Sequence, residues 1–363
     1  MKKSIGIVGA GVLGRMLAIA FQRKGWHVSL FDRDDRTGAQ SCSWTGAGMI
    51  APYCELEAAE RVVTDLGIYS MEQWPVWLAS LAAPVYYQQR GSLVVAHPRD
   101  ADELERLRRR VIDNAPRDDL MEEIEGPDIG SVEPELAGRF ANALYFPFEQ
   151  HLDNRELLHA LRLTIEQAGI AWHDRTEVRT IAPHRVTTDR GEHTFDWVID
   201  ARGLGAQPDY PDLRGVRGEL IYLKAPEVNL SRPVRLMHPR YSIYIVPRAD
   251  HVYVVGATAI ESDARHEITV RSALELLSAA YTVHTGFAEA RFLEASVNCR
   301  PGFPDNLPKI QPQQGLVAVN GLYRHGFLVS PALCDIVLDF IHGGETHPMA
   351  DGIAVEGIRL VLE

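Results

Sequence analysis

Cysteine is scarce in this 363-residue chain: four residues, at positions 42, 54, 299 and 334, with no Cys-x-x-Cys and no close Cys/His spacing. That pattern excludes a disulfide framework and a zinc site, and reads as reduced thiols in a cytoplasmic protein. No His-x-x-x-His pair occurs, so no metal site is expected. Long apolar runs are also missing, and nothing approaches the roughly 18–20 residues of a membrane span. Met1-Lys2-Lys3 precedes an apolar stretch, but Arg15 and several glycines interrupt it and no small-residue cleavage site follows. A signal peptide is therefore not expected. Basic excess is absent too: 37 Lys+Arg stand against 49 Asp+Glu, a net charge of −12, which argues against nucleic-acid binding. The one basic run, Arg106-Leu107-Arg108-Arg109-Arg110, sits beside Asp102, Glu103 and Glu105 and reads as a solvated helix face. With 46% hydrophobic and 24% charged residues the chain is globular, and its length suggests two domains.

What is present begins at the N-terminus. An apolar run over Ser4–Val8 is followed by Gly9-Ala10-Gly11-Val12-Leu13-Gly14, a helical pattern over 15–23, and a second strand, His27–Phe31, ending at Asp32. This is a βαβ unit with the G-x-G-x-x-G fingerprint. Gly9 allows the tight turn, Gly11 allows the backbone to approach a pyrophosphate, and Gly14 lets helix and sheet pack closely. The pyrophosphate would sit on the helix N-terminus, where free N–H groups favour an anion. Asp32 lies 18 residues beyond Gly14, placed to accept a bond from a ribose hydroxyl.

Further on, residues 58–74 and 100–113 show helical periodicity, and Pro75 is expected to end or kink the first. Residues 91–96 read as a strand, 116–135 as acidic and turn-rich, and 154–168 as an amphipathic helix closed by Gly169. Strand and turn follow over 171–181, and a buried strand over 196–201 leads into Arg202-Gly203-Leu204-Gly205. Residues 220–223, 242–246 and 252–255 read as strands, and 335–341 as the final helix. Ser330 suits an N-cap and Pro331 the first helical position, so a helix is expected to start there. A parallel α/β start, a strand-rich middle and a glycine-rich α/β return suggest two interleaved domains.

Four segments, in order along the chain, carry a family resemblance. They are the stretch from Ser43-Trp44-Thr45-Gly46 through Ala47-Gly48-Met49-Ile50-Ala51-Pro52, then Tyr244-Ile245-Val246-Pro247-Arg248 with Val255-Gly256-Ala257-Thr258, then Arg300-Pro301-Gly302, and the loop from Gly321-Leu322-Tyr323-Arg324-His325-Gly326 to Phe327-Leu328-Val329-Ser330-Pro331. Together they resemble the D-amino-acid oxidase/glycine oxidase family of FAD-dependent oxidoreductases, and within it the glycine oxidases of thiamine biosynthesis most. The resemblance implies an α/β fold. A Rossmann-like FAD-binding domain (1–85, 145–212 and 295–363) would interleave with a smaller α+β substrate domain (86–144 and 213–294) on a mostly antiparallel sheet. It also implies FAD contacts from Asp32, Arg33, Ser43, Ala47, Gly48, Met49, Val178, Gly203, Gly321, Tyr323, Arg324, Gly326 and Phe327, besides Gly9, Gly11 and Gly14. No cysteine lies in 321–327, so the flavin is expected to be non-covalent.

Of the catalytic candidates, residues matching Tyr244 and Arg300 clamp a substrate carboxylate in the family, and the one matching Arg324 lies beside the substrate amine and flavin. Read alone, Arg300 is either a strand-end carboxylate fork or a surface arginine paired with Glu294 or Asp305. Tyr244 is either a donor to that carboxylate or a core aromatic, and Arg324 could equally be a loop arginine against a glutamate. His325, Tyr323 and Tyr241 are candidates for a supporting layer, and Cys299 shows no sign of activation. Leu322, His325, Arg202, Lys309 and Gln311 depart from the family pattern, as does Ala259, which replaces a methionine and leaves room for larger amines.

The resemblance implies oxidation of glycine or a similar small amino acid or amine, by hydride transfer to flavin N5. The products would be an imine or 2-oxo acid, ammonia and hydrogen peroxide, with dioxygen as acceptor and a homo-tetramer as the assembly. Three other readings stay open: a flavoprotein that oxidises a side chain of a partner protein, a nicotinamide-dependent dehydrogenase, and a non-catalytic nucleotide-binding module. The last two leave the Ser43–Pro52 and Gly321–Pro331 segments, or Arg300 and Tyr244, without a purpose.

Overall fold

Ser4–Val8 is a central strand of a parallel sheet in the computed structural model, which describes residues 2–57, 59–114, 118–240, 243–343, 347–350 and 353. Counts and absences refer to these residues. The sheet runs in the order Lys309–Gln313, Leu316–Asn320, Trp197–Asp200, Ser4–Val8, His27–Phe31, Ala171–His173. Only the edge pair Lys309–Gln313 with Leu316–Asn320 is antiparallel. Apolar runs such as Ile5, Ile7, Leu30, Val198 and Ile199 are buried here, as parallel strands covered on both faces require. The helix Gly326–Leu338 packs against the helices Val12–Arg23 and Arg61–Ala79.

The second, nine-stranded sheet is mostly antiparallel, with one parallel pairing, Val234–Met237 beside Ser92–Ala96. Its spine is Arg214–Lys224, which pairs with Val252–Gly256 on one side and with Arg291–Gly302 on the other. Arg291–Gly302 runs across the boundary expected at 294/295 and stays paired to its end. The crossing back toward the parallel sheet therefore follows Gly302.

Several local expectations need correction. Residues 116–135 include a short strand, Glu122–Glu125, and a helix, Gly126–Val132. The meander Val178–Ala182, Arg185–Thr188 and Gly191–Thr194 is longer than the strand read near 171–181. Pro75 does not end its helix, which spans Arg61–Ala79. The proline has no N–H for the carbonyl of Met71, and the Gln150 side-chain amide donates to that carbonyl instead, at 3.4 Å. Ser330 and Pro331 do not start theirs either, because the helix begins five residues earlier with His325 at the N-cap. Ser330 Oγ donates back to Gly326 O at 2.5 Å, and the Phe327 carbonyl freed by Pro331 accepts from Trp74 Nε1 at 3.0 Å. Both prolines are thus accommodated by a side-chain donor from a neighbouring element.

Arg15, on the first helix, is fully buried: it donates to Ala10 O, Leu158 O and Arg36 O. Residues Gly326–Gly343 have a mean hydropathy of 1.4, enough by length and composition to cross a membrane, but 67% of this stretch is buried inside the protein. Its apolarity is accounted for by core packing.

Candidate active site

One cavity of about 340 Å3 runs between the two sheets. The glycine turn forms part of its wall and is set by close contacts. Gly9 has φ +104, and a Cβ there would lie 2.4 Å from Ala201 O. At Gly14 a Cβ would lie 1.8 Å from Gly9 O, so helix and turn can approach only over a hydrogen. A Cβ on Gly11 would meet only Ser43 Oγ, at 3.4 Å, and would otherwise project into the cavity. Asp32 Oδ2 accepts from Ala10 N at 2.5 Å and Oδ1 from Asp34 N at 2.8 Å, so it holds the turn as well as facing the cavity. Ser43 Oγ accepts from Val12 N at 3.0 Å, in the first turn of the helix.

The other expected cofactor residues Arg33, Ala47, Gly48, Met49, Val178, Gly203, Tyr323, Arg324, Gly326 and Phe327 all line the same cavity. Gly321 does not. It has φ +75 and is packed on Phe303, which a Cβ would approach to 2.2 Å, so its part is to turn the chain. Tyr241 lies outside the described residues. Two helix N-termini open on the cavity, at Val12 and Gly326, and neither N-cap residue supplies a side-chain acceptor. Their free N–H groups and dipoles favour negative charge there.

Arg300 and Tyr244 line the cavity from the antiparallel sheet. Arg300 pairs with neither carboxylate considered for it: Glu294 is held by Arg155 at 2.7 Å and Asp305 by Lys309 at 3.3 Å. Its Nη1 donates instead to Thr258 O at 3.0 Å, with Arg217 O at 3.5 Å. Among the described residues it has no acidic partner. Burial pushes the Tyr244 phenol up from its ordinary pKa, so it remains a donor at neutral pH.

Arg324 is engaged by Glu55, Nη2 to Oε2 at 2.7 Å, the glutamate contact that its sequence position left open. Glu55 and its partner Arg235 were not legible from sequence. Glu55 sits on the one-turn helix Pro52–Glu55, directly after the Ser43–Pro52 segment, and that adjacency was the available signal. Burial alone would raise its pKa, but Arg324, His325 and Arg235 bring it down to about 2. His325, 3% exposed, is pushed down to about 4, mainly by burial and against the pull of Glu55. At neutral pH the group is thus a carboxylate, two guanidiniums and a neutral imidazole. Among the described residues no cluster of potential metal ligands occurs.

The family model described as FAD dependent oxidoreductase matches residues 4–339. The chain belongs to this family. A Rhizobium etli protein named as the thiamine biosynthesis oxidoreductase ThiO is 43% identical over 325 residues, covering 90% of this chain and 92% of that one. Glycine oxidase of Pseudomonas aeruginosa is 27% identical over 365 residues, covering 95% and 96%. The crystal structure of glycine oxidase from Geobacillus kaustophilus matches with a TM-score of 0.86 at 22% identity, covering 98% of this chain and 100% of that one, a likeness of fold.

As an FAD dependent oxidoreductase the chain takes FAD, and its residues fit that cofactor. The space left free at Gly11 and the N–H groups of the first helical turn after Val12, whose own N–H is held by Ser43, suit the pyrophosphate, and Asp32 keeps lone pairs for a ribose. Gly326, where a Cβ would meet no atom within 4 Å, leaves the second N-terminus open. Gly11→Val should fill that space: purified protein is expected to keep its circular-dichroism spectrum but lose its 450 nm absorbance. Wild-type flavin content in the variant would refute the placement.

Proposed function

We propose that this FAD-dependent oxidoreductase oxidises glycine or a similarly small amino acid. The observation that carries the reading is Arg300: a guanidinium on the cavity wall, held by backbone carbonyls and without an acidic partner among the described residues. Such a fork presents its remaining N–H groups to a carboxylate in bidentate geometry. Tyr244 donates a further bond to the same carboxylate, and together the two orient the substrate Cα. Arg324 does not compete for it, because Glu55 neutralises that guanidinium. His325, neutral in its buried position, adds no charge. The open N-terminus at Gly326 stabilises negative charge arising beside it.

FAD, held by the glycine turn at Gly9, Gly11 and Gly14 and by the helix N-terminus at Gly326, would supply the two-electron acceptor for the hydride leaving Cα, with dioxygen as the final oxidant. The substrate amine enters deprotonated, so no protein base is required at Cα. The imine is released to water as glyoxylate and ammonia when glycine is the substrate. Kinship with the ThiO and glycine oxidase proteins supports this choice of amine, and the small side chain of Ala259 on the cavity wall leaves room for larger ones.

The test is the visible spectrum of the purified holoenzyme under anaerobic conditions. Glycine should bleach the flavin absorbance and air should restore it, with hydrogen peroxide formed. Indifference to glycine, sarcosine and other small amino acids would overturn the proposal in favour of a protein side chain as substrate.

A further inference from the structure

We propose that the tripeptide Arg217-Gly218-Glu219 is the device that positions Arg300, and that Arg217 and Glu219 are positioning residues for carboxylate binding. The inference rests on the reading of Arg300 given above. Arg217 is 2% and Glu219 0% exposed, and they form an ion pair within one strand, both Nε and Nη2 donating to Glu219 Oε1, at 3.0 and 2.7 Å. A buried ion pair is seldom a net gain in stability over well-packed apolar side chains, so its presence here calls for a positional account.

Thr258 links the pair to Arg300. Its hydroxyl donates to Glu219 Oε2 at 3.0 Å and accepts from Glu219 N at 2.9 Å, while its own N–H donates to Glu219 O at 3.2 Å. Three bonds to one residue fix the peptide of Thr258, and the carbonyl so fixed accepts from Arg300. The carbonyl of Arg217 faces the same guanidinium at 3.5 Å. Between them, Gly218 is the surface on which the guanidinium lies: a Cβ there would come within 2.5 to 2.7 Å of Arg300 Nη2, Cζ and Nη1. All three residues of the tripeptide thus bear on one side chain.

The far side of the pair holds the rest of the cavity wall. Arg217 Nη1 donates to Ala264 O and Nη2 to Glu267 O, each at 2.7 Å. A single ion pair therefore ties down both ends of the segment 258–267, and Thr258, Ala259 and Arg265 of that segment line the cavity. A free arginine side chain has many rotamers to lose on binding. Confining Arg300 before the substrate arrives removes part of that loss from the binding step, and pre-organisation of this kind appears as tighter substrate binding.

The experiment uses holoenzyme and acetate, a carboxylate with no amine to oxidise, titrated against the flavin visible spectrum. Glu219→Ala should raise the acetate Kd by about 10- to 100-fold, the scale set by misplacing a positioning group by an ångström. The KM for glycine should rise by a larger factor than kcat falls. Glu219→Gln, whose single carbonyl oxygen can serve Arg217 or the Thr258 hydroxyl but not both, should recover only part of the affinity. Thr258→Val, a milder variant to use if Glu219→Ala does not fold, should weaken acetate in the same direction. Lower flavin content with unchanged acetate affinity in the loaded fraction would overturn the proposal, because it would mark the pair as merely structural. Arg300→Ala separates the two inferences. Unchanged acetate affinity there refutes the carboxylate clamp itself, whereas loss in Arg300→Ala with none in Glu219→Ala or Thr258→Val refutes the positioning alone.

Discussion

Arg300→Ala is expected to raise the KM for glycine by about two to four orders of magnitude, since two charge-assisted hydrogen bonds at roughly 1.5–3 kcal/mol each are removed. The guanidinium binds the carboxylate in both ground and transition state, so most of the loss should fall on KM and a smaller part on kcat. The lost side chain leaves the carbonyls of Thr258 and Arg217 without their donor, which adds a local rearrangement to the loss of charge. Arg300→Lys should recover only part of the loss, because an ammonium delivers a point charge where a planar fork is needed. Steady-state kinetics with glycine, together with flavin content, decide the matter: a KM within a few-fold of wild type in fully flavin-loaded Arg300→Ala would sink the assignment.

The second large effect concerns acid stability. His151 is fully buried in the small sheet that joins Met49–Ile50, Gln150–Leu152 and Tyr87–Gln88, and neither ring nitrogen has a hydrogen-bond partner among the described residues. Burial, with Arg248 and Arg90 nearby, brings its pKa down to about 3. The unfolded chain takes up a proton on this imidazole below its ordinary pKa of about 6.5, while the native state resists until about 3. Stability is therefore lost progressively as the pH falls through that window and levels off below it. Across the window the loss is roughly 3–5 kcal/mol at 1.36 kcal/mol per unit of pKa shift. His325, brought down to about 4, adds a loss of the same sign between about 6.5 and 4. In His151→Leu the first contribution disappears. Urea unfolding at pH 7 and pH 4.5 should show the variant gaining roughly 2–3 kcal/mol relative to wild type on acidification, and parallel losses in the two proteins would refute the account.

Much of the nucleotide-binding half could be read along the chain because its signals are local. The Gly9, Gly11 and Gly14 spacing, the apolar run Ser4–Val8 and the acid at position 32 all lie within one βαβ unit. The Arg300 and Tyr244 strands were legible through motifs, yet the strand Arg214–Lys224 between them was read as four residues instead of 11. Its length comes from pairing on both sides with residues 28 to 88 positions away, a tertiary effect that local propensity does not carry. Pro75 and Pro331 misled for a related reason. A proline ends a helix when its freed carbonyl has no donor, and the donors here, Gln150 and Trp74, come from other elements. Glu55 was missed because nothing in the local pattern of Pro52–Glu55 distinguishes an acid bound for a cavity from one bound for water. The burial of Arg217 with Glu219 was hidden likewise, since their alternation resembles an ordinary polar strand face.

The two interrupted helices have a consequence for how the protein can move. Each proline exposes one main-chain oxygen at a single height along its helix, and each is met by one fixed donor. Sliding Gly326–Leu338 along Arg61–Ala79 by a turn would strand the Phe327 carbonyl in a dry interior and leave the Trp74 indole unpaired. Smooth apolar helix faces tolerate neighbouring registers, whereas this contact has one tooth and one notch. The start of the long C-terminal helix is thereby held at one axial height, and Gly326 with it, so the helix end that faces the cavity is not free to ratchet.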